Sequence, residues 1–524
     1  MTLWQRVGAA VPSGDKGVER VATATIEGIR SPSDPLVAQS LVELAGDFED
    51  LISLTRQRIA ALRRLRTELN RDTVSEWAGR EVLAGIDSMV ASDVATTSEL
   101  RALIEETTRE GSLAGLVLAR RRQAEMLRTR QGMAASFFAA TDWHSPSIGH
   151  SVHSNAGRHD GRITAHHDDY KRDRHPDQAA WERAWLAETV DNPRQHPLRA
   201  LMTASGMAAF TTIRALIEQQ KGEHPVVIGS GIYHECRQLL TMSGLGNRII
   251  AVPETDKKAW KEALDRGPGV VFLDTMCNAA GLAVPDVVWL IRALHGNGRS
   301  MTLVLDNTAR SVSFQPWRYL PNRSTVRMIV FESLTKYAQL GMDRAAGGVI
   351  VAREQDAEKM DSLREHLGTN VADVVAHQHP WPNRRLLQRR LSRIGRNAAL
   401  IAGVVSRRIA GSEFPIRVIY PGLSTPSRVW DSSFRGGYMS IESRTPDDIP
   451  LYRRLIETVL SIAAERGVPI CEGTSFGFDT TRVYLTAATT IQGSPFLRIA
   501  AGGEHLVGAH AVANVLADSV ERLR

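Results

Sequence analysis

The chain has 524 residues, of which 43% are hydrophobic and 23% charged, so it is long enough for two or three globular domains with a large core. Its net charge of +6 is small for this length and its Arg and Lys residues are scattered, which argues against a nucleic-acid-binding surface. Three separated cysteines argue against a disulfide framework or a thiolate metal site, and no apolar stretch is long enough to cross a bilayer, so we expect a cytoplasmic protein without a membrane partner.

Residues 1–140 predict a helical N-terminal extension. Asp34-Pro35 is typical of a helix N-cap followed by proline in the first turn. The apolar residues that follow have an a/d-like spacing, interrupted by Thr55 and Arg58 on the same face, and predict a long amphipathic helix. Further helices are predicted from Thr73, from near Thr96 and over Leu113 to Met126. We interpret the extension as an oligomerisation or packing element, with a lid or docking domain for a bulky substrate as the alternative.

Residues 141–194 predict an arm that contacts a neighbouring subunit. Seven histidines fall between His144 and His175, and such a cluster raises the question of a metal. The stretch has neither an HExxH arrangement nor a cysteine partner, so we expect no metal site.

Residues 195–373 predict a large α/β domain. Apolar runs that are typical of strands alternate with helical segments, which favours a mostly parallel sheet covered on both faces. The predicted strands are Val226 to Ile228, Ile249 to Val252, Val270 to Leu273, Thr302 to Leu305, Val326 to Phe331 and Gly348 to Val351. The predicted helices include Arg237 to Ser243, Lys257 to Leu264 and Val287 to His295.

Residues 374–524 predict a smaller α+β domain. Its predicted helices are Arg384 to Arg408, Ile449 to Arg466 and His510 to Leu523, and its predicted strands are Ile416 to Tyr420, Tyr438 to Glu442 and Leu497 to Ala500. The first helix carries a row of arginines, which we interpret as a solvated helix face and interface rather than a ligand-binding patch.

The candidate catalytic residues follow predicted strands. Lys336 stands after the apolar run that ends at Phe331 and is a candidate for a Schiff-base lysine, because two nearby hydroxyls and an amine suit a phosphorylated aldehyde cofactor. Asp306 ends another apolar run, and in a parallel sheet both groups would lie at strand carboxyl ends. The small-residue turn around Ser205 opens a helix whose free N–H groups suit a phosphate, and Tyr233 could cover a cofactor ring.

These segments, in this order, resemble the Cys/Met-metabolism family of pyridoxal-phosphate (PLP) enzymes, the cystathionine γ-synthase-like branch of fold type I, from about Tyr170 to the C-terminus. The resemblance implies that Lys336 forms the Schiff base with PLP, that Asp306 partners the pyridine nitrogen and that Tyr233 stacks on the ring. It further implies a 3′-oxygen contact from Asn278, and phosphate contacts from Ser205, Gly206, Met207, Ser333 and Thr335.

The resemblance also implies contacts beyond the cofactor. Arg498 would bind the substrate α-carboxylate, and Ser475 lies in a segment that resembles the serine loop before it. Tyr170 and Arg172 match a pair that reaches the phosphate of a neighbouring subunit, which implies a homodimer or homotetramer with shared active sites. Ala309-Arg310 replaces the family's aromatic and alanine, and we interpret Arg310 and Arg344 as anion contacts for an unusual substrate or acceptor.

The implied reaction is γ-elimination or γ-replacement on an L-amino acid with a γ leaving group, through an external aldimine and a vinylglycine-type intermediate. The leaving group would be an acylated homoserine oxygen, a cystathionine sulfur or the sulfonium of S-adenosylmethionine, and the acceptor a second small molecule. The altered substrate side leaves C–C bond formation in a specialised biosynthesis open. An α,β-lyase or aminotransferase using the same site is the first alternative, and a non-catalytic regulatory or binding protein is the second.

Overall fold

The computed structural model describes residues 34–71, 76–108, 112–142, 176–191, 195–219, 223–341, 345–410, 414–430, 432–445, 447–487 and 494–523. The histidine-rich stretch, Tyr170, Arg172 and Arg344 lie outside the described residues, as does Thr73.

Three long helices form the N-terminal region: α1 (Pro35–Arg71), α2 (Glu76–Thr108) and α3 (Leu113–Asp142). The predicted start of α1 is confirmed, because the Asp34 carboxylate accepts a hydrogen bond from the N–H of Leu36 at 2.8 Å. The predicted helix start near Thr96 is wrong, because Thr96 lies inside α2. Its hydroxyl accepts a hydrogen bond from Arg130 of α3 at 2.8 Å, so this polar residue joins two helices instead of capping one.

The two polar residues that interrupt the apolar face of α1 are both buried. Arg58 donates from Nε and Nη2 to the two carboxylate oxygens of Asp93 on α2, at 2.7 and 2.8 Å, and both side chains are almost fully inaccessible. A bidentate guanidinium–carboxylate pair satisfies both charges inside the bundle. The interruption is therefore a specific contact between helices.

The large domain contains a seven-stranded sheet with the order β1-β7-β6-β5-β4-β2-β3, in which β7 runs antiparallel to its neighbours β1 and β6. Its strands are β1 (Leu198–Thr203), β2 (Val226–Gly229), β3 (Ile249–Val252), β4 (Val270–Asp274), β5 (Met301–Asp306), β6 (Val326–Ser333) and β7 (Gly348–Arg353). Its helices are α4 (Pro176–Thr189), α5 (Gly206–Glu218), α6 (His234–Thr241), α7 (Lys257–Asp265), α8 (Val287–Asn297), α9 (Glu354–Leu367) and α10 (Asp373–Gln378). Apolar clusters on both faces of the sheet confirm the predicted α/β architecture.

The C-terminal part contains a five-stranded sheet with the order β10-β11-β12-β9-β8, in which only the β10–β11 pair is parallel. The strands are β8 (Ile416–Ile419), β9 (Tyr438–Ser443), β10 (Ile470–Glu472), β11 (Thr481–Thr486) and β12 (Phe496–Ala500). The helices are α11 (Arg384–Ile409), α12 (Pro421–Ser424), α13 (Ile449–Glu465) and α14 (Leu506–Glu521). Strands β1, β10 and β11 were not predicted, because they are short or carry polar residues.

The arginine row of α11 faces the N-terminal region. Three acidic side chains of α1 pair with it in antiparallel order: Asp50 with Arg389, Asp47 with Arg393 at 2.6 Å, and Glu43 with Arg396. The C-terminal helix joins the same contact, because Val507 of α14 packs in the apolar cluster of the bundle. The arginines thus form an interface within the chain, which agrees with the interface part of the prediction but not with a solvated helix face.

Within the described part of the chain, no helix combines the length and apolar character that a membrane span requires. The same residues contain no group of three or more His, Cys, Asp or Glu side chains placed to hold a metal ion.

Candidate active site

A cavity of about 670 Å³ gathers the chemically distinctive residues of the chain. It lies where the carboxyl ends of the large sheet meet loops of the C-terminal part. Eleven of the fifteen predicted site residues line it: Ser205, Gly206, Met207, Tyr233, Asn278, Asp306, Ser333, Thr335, Lys336, Ser475 and Arg498.

The parallel register of β5 and β6 brings the acid and the amine to one edge of the sheet. Asp306 is the last residue of β5 and lies opposite Phe331 of β6. Strand β6 ends at Ser333, and Lys336 follows in the next turn. Because parallel strands end on the same edge, both groups face one cavity, which is the usual ligand position in an open α/β sheet.

A cradle for an anion forms where α5 begins. The Ser205 hydroxyl caps this helix by accepting a hydrogen bond from the N–H of Ala208 at 3.0 Å. The first N–H groups of a helix have no partner within it and attract anions. The hydroxyls of Ser333 and Thr335, 2.7 Å apart, line the same end of the cavity.

Gly206 allows the helix start and β6 to approach closely. A Cβ at this position would lie 2.8 Å from the Ser333 Cβ, well inside normal contact distance. Glycine is therefore required by the packing, which brings the N–H groups of α5 and the Ser333 hydroxyl together.

Two carboxylates, a buried one and a half-buried one, lie side by side at the strand ends. Asp274 ends β4 in register with Asp306 of β5. Burial raises the pKa of both groups, and the charge of Asp306 raises the pKa of Asp274 further. The N–H of Thr308 donates to Asp306 at 2.8 Å, and this contact together with the charge of Lys336 opposes the pKa shift of Asp306. A cationic ring nitrogen placed here would favour the ionised carboxylate.

Lys336 stands on a turn held by the C-terminal part. Its ammonium donates to the Thr335 hydroxyl at 3.4 Å and lies 5.8 Å from the centre of the Phe476 ring. Gly477, with φ +90°, packs against the backbone of this turn, where a Cβ would be 2.9 Å from the Lys336 carbonyl carbon. The amine therefore faces the cavity between the two parts of the protein.

Arg498 lies in β12 with its side chain toward the cavity. Its Nη1 donates to the amide oxygen of Asn278 at 2.9 Å, and its Nη2 donates to the Thr474 hydroxyl at 3.3 Å. Its Nε is buried and makes no hydrogen bond within the described structure. A fixed guanidinium with an unsatisfied donor is suited to a carboxylate. Ser475, the next residue after Thr474, lines the cavity with a positive φ of 73°.

Tyr233 is held at the cavity rim. Its N–H donates to the Asp274 carboxylate at 2.9 Å, and its side chain is 36% exposed. Burial, followed by the nearby Glu235, raises the pKa of the phenol above its ordinary value, so the group is neutral at pH 7. The ring is a candidate cover for a flat cofactor.

Arg310 does not line the cavity, contrary to its prediction as a substrate contact. Its side chain is 1% exposed, and its guanidinium lies 4.1 Å from the centre of the Phe314 ring and 5.1 Å from that of Trp430. Packing between two aromatic rings holds it in the protein interior. Tyr170, Arg172 and Arg344 cannot be placed, because they lie outside the described residues.

Several supporting residues were not predicted. Asp274 is one, although the apolar run before it is the same signal that identified Asp306. Thr308 is another: its hydroxyl accepts a hydrogen bond from the N–H of Ser333 at 2.8 Å and so joins the two strand ends. Glu332 accepts hydrogen bonds from Ser311 and Asn307, at 2.8 and 3.1 Å, beneath this turn. Nothing in the local sequence indicates the contacts of Thr308 and Glu332.

An anion cradle, an accessible lysine and a half-buried carboxylate in one α/β cavity are typical of a cofactor-dependent enzyme. The profile of the Cys/Met metabolism PLP-dependent enzyme family matches residues 137–436. The chain belongs to this family. The predicted fold and family are thereby confirmed.

The chain is also similar to individual proteins. It is 28% identical over 340 residues to the bifunctional enzyme flvA of Aspergillus flavus, an alignment that covers 64% of this chain and 40% of that protein. The chain therefore corresponds to less than half of this relative's length.

Solved structures share the fold at low sequence identity. Cystathionine gamma synthase from Xanthomonas oryzae, in complex with aminoacrylate and cysteine, has a TM-score of 0.55 at 19% identity, covering 73% of this chain and 92% of that one. MetB from Corynebacterium glutamicum has a TM-score of 0.57 at 18% identity, with coverages of 74% and 92%. A putative O-acetylhomoserine (thiol)-lyase from Campylobacter jejuni has a TM-score of 0.51 at 18% identity, with coverages of 72% and 93%, and contains N'-pyridoxyl-lysine-5'-monophosphate.

The cavity suits the cofactor of the family. Its volume of about 670 Å³ falls in the range of pockets that hold ligands of this size. At one end, the tight Gly206–Ser333 contact, the helix start and the paired hydroxyls offer complementary groups to a phosphate. At the other end, the half-buried Asp306 offers a carboxylate to a ring nitrogen.

Proposed function

We propose that the protein is a PLP-dependent enzyme that catalyses γ-elimination or γ-replacement on an L-amino acid with a γ leaving group. The observation that carries this proposal is the convergence of Lys336, Asp306, the α5 cradle and Arg498 on one cavity. Bound PLP supplies an electron sink for a substrate carbanion, and the protein decides which bond breaks.

The residues that would hold PLP form two groups, one for its anionic phosphate and one for its cationic ring nitrogen. The N–H groups of Gly206 and Met207, with the hydroxyls of Ser333 and Thr335, would bind the phosphate. Asp306 would accept a hydrogen bond from the protonated ring nitrogen, because a nearby cation favours the ionised form of this half-buried carboxylate.

Lys336 is the proposed proton carrier. Its amine lies in the cavity shared with Asp306, so that as a free amine it would be placed to remove and return protons at Cα and Cβ of a bound amino acid. Loss of both protons is what expulsion of a γ group requires, whereas an α,β-lyase or aminotransferase need not exchange the Cβ proton.

Arg498 is the proposed anchor of the substrate α-carboxylate. Asn278 and Thr474 fix its guanidinium from two sides, so that a carboxylate bound by parallel N–H donors would be held in one orientation. Positioning the amino acid in this way selects the bond that stands over the cofactor ring.

The proposed reaction requires a substrate with a leaving group on Cγ. Activated homoserine, cystathionine and S-adenosylmethionine types all have the required γ leaving group. Arg310 is not an acceptor contact, because its guanidinium is buried between two aromatic rings. A homo-oligomer with shared active sites remains a prediction that depends on Tyr170 and Arg172.

Hydrogen exchange in D₂O tests the reaction class. The PLP-loaded protein is incubated with L-norvaline, which has Cα and Cβ protons but no leaving group, and exchange is followed by NMR. We expect exchange at both carbons, and none in the Lys336→Ala variant. Exchange at Cα alone would reject γ chemistry in favour of the lyase or aminotransferase, and PLP binding without any exchange would support a non-catalytic protein.

A further inference from the structure

The N-terminal helix α3 contacts both loops that flank Lys336. One is loop 473–480, which carries Thr474, Ser475 and Phe476 into the cavity. The other is turn 337–341, which directly follows the lysine. Contacts from outside the cavity that fix a cavity-lining loop and the turn directly after the lysine can control how the cavity binds its ligand.

Loop 473–480 is fixed through Asp479. Arg120 of α3 donates from Nη1 to the Asp479 carboxylate at 2.6 Å, and Arg390 of α11 donates to its other oxygen at 2.6 Å. Arg390 also donates to the Gly477 carbonyl at 2.8 Å, so the same arginine holds the backbone that packs on Lys336. Arg120 is in turn held by Asp47 of α1 at 3.2 Å.

The charge of Asp479 is balanced by two arginines. Burial alone would raise the pKa of the Asp479 carboxyl, but Arg120 and Arg390 outweigh it and lower the pKa below its ordinary value. The carboxylate is therefore ionised at neutral pH, and it is shared between an arginine from the extension and one from the C-terminal part. Removing either arginine leaves a half-buried charge only partly compensated.

Turn 337–341 is fixed through its last residue. Arg128, two helical turns after Arg120 on α3, donates from Nη2 to the Gly341 carbonyl at 2.6 Å. Leu340 and Gly341 both have positive φ, of 54° and 82°, and Gly341 lies against Asp479 with no room for a Cβ. The two loops are thus in contact with each other as well as with α3.

We propose that α3 belongs to the active-site framework: Arg120, acting through Asp479, positions loop 473–480 so that the cavity binds the amino-acid substrate. Arg120 is a positioning residue, because it lies outside the cavity lining and reaches the cavity only through the loop. The inference rests on the proposed function, in which this cavity is the substrate site. The proposal gives the helical extension a role in substrate binding. An extension that served only for packing or oligomerisation would not need such a role.

The test compares substrate affinity with cofactor binding in the PLP-loaded full-length protein. L-norvaline is titrated while the visible absorption of bound PLP is followed, in the wild type and in Arg120→Ala, Arg120→Lys and Asp479→Asn variants. We expect the Kd for L-norvaline to rise roughly tenfold in the Ala and Asn variants, with partial recovery in Lys, and PLP affinity to change by less than about twofold.

Arg389→Ala is the matched control. Arg389 pairs with Asp50 in the interface of α1 and α11, and among the described residues it makes no hydrogen bond or ion pair with either loop. This variant therefore loses an interface ion pair and should keep wild-type Kd. Equal Kd values in wild type, Arg120→Ala and Asp479→Asn would overturn the proposal, and so would an equal rise in Arg389→Ala. If Arg120→Ala does not fold, the L-norvaline Kd of Asp479→Asn, which preserves side-chain volume, tests the proposal instead.

The proposed function can fail separately. A wild-type protein that gives no visible band with PLP would reject the cofactor assignment, whereas a normal band with unchanged L-norvaline affinity in the variants would reject only the positioning role of Arg120.

Discussion

Substitution of Gly206 by alanine probes the phosphate cradle directly. The added Cβ would lie 2.8 Å from the Ser333 Cβ and 3.1 Å from its Cα, whereas carbon atoms normally approach to about 3.5–4.0 Å. Ser333 ends a strand that pairs with β7 and β5, so the relief must come from separation of the helix start and the strand. A separation of roughly 0.5–1 Å would lengthen hydrogen bonds from one side of the cradle to a bound phosphate.

The expected decrease in affinity follows from the weakened hydrogen bonds to the phosphate. A hydrogen bond to a charged group contributes about 1.5–3 kcal/mol. Loss of one such bond would weaken PLP binding by roughly 10- to 150-fold, since about 1.4 kcal/mol corresponds to a factor of ten. The Kd is measured by titrating the cofactor-free protein with PLP and following the absorption of the bound form.

Gly132→Ala provides the control for this prediction. Gly132 lies in α3, and a Cβ added there would meet no heavy atom within 4 Å. Alanine should therefore leave PLP affinity unchanged and raise stability by up to about 1 kcal/mol through helix propensity. Wild-type PLP affinity in Gly206→Ala would refute the assignment of this helix start as the phosphate site.

Three further outcomes are expected. Asp93→Ala leaves the buried Arg58 charge without its carboxylate partner and should lower the free energy of unfolding, measured by urea denaturation, by about 3 kcal/mol. Asp87→Ala breaks an exposed ion pair and should leave the free energy of unfolding nearly unchanged. Burial raises the pKa of Glu332 from 4.5 to about 8, so between these pH values the folded state retains a proton that the unfolded state loses. The free energy of unfolding should therefore fall as pH rises from 4.5 to 8. Glu332→Gln should flatten this pH dependence, and equal slopes in wild type and variant would contradict the reasoning. Arg498→Lys, which loses the planar donor pair, should weaken L-norvaline binding at least about tenfold without altering PLP affinity; unchanged L-norvaline affinity would reject the carboxylate site.

The sequence predicts site residues best where a chemically reactive side chain directly follows an apolar run that forms a strand. Lys336 and Asp306 were predicted from apolar runs that end in functional residues, and both line the cavity because parallel strands end on one edge. The six strands predicted in the large domain and the three predicted in the C-terminal part are all present. Most are buried runs whose apolar character is visible without knowledge of their partners, whereas β3 and β8 are only partly buried.

The remaining features depend on contacts between distant segments. Arg310 was interpreted as an anion contact because its position differs from the family pattern, but its neighbours Phe314 and Trp430 hold it in the core. Thr96 carries the pattern of a helix cap, but Arg130 uses its hydroxyl. The arginine row of α11 and the acidic row of α1 each have the pattern of a solvated face, and only their juxtaposition identifies them as one interface.

The most direct test of the active-site assignment is to locate the lysine that binds the cofactor. The protein is loaded with PLP, reduced with borohydride, digested and analysed by peptide mass spectrometry. We predict a phosphopyridoxyl group on Lys336 and none in Lys336→Ala. Modification confined to another lysine, or a wild-type protein that takes up no cofactor, would contradict the assignment of this cavity as the active site.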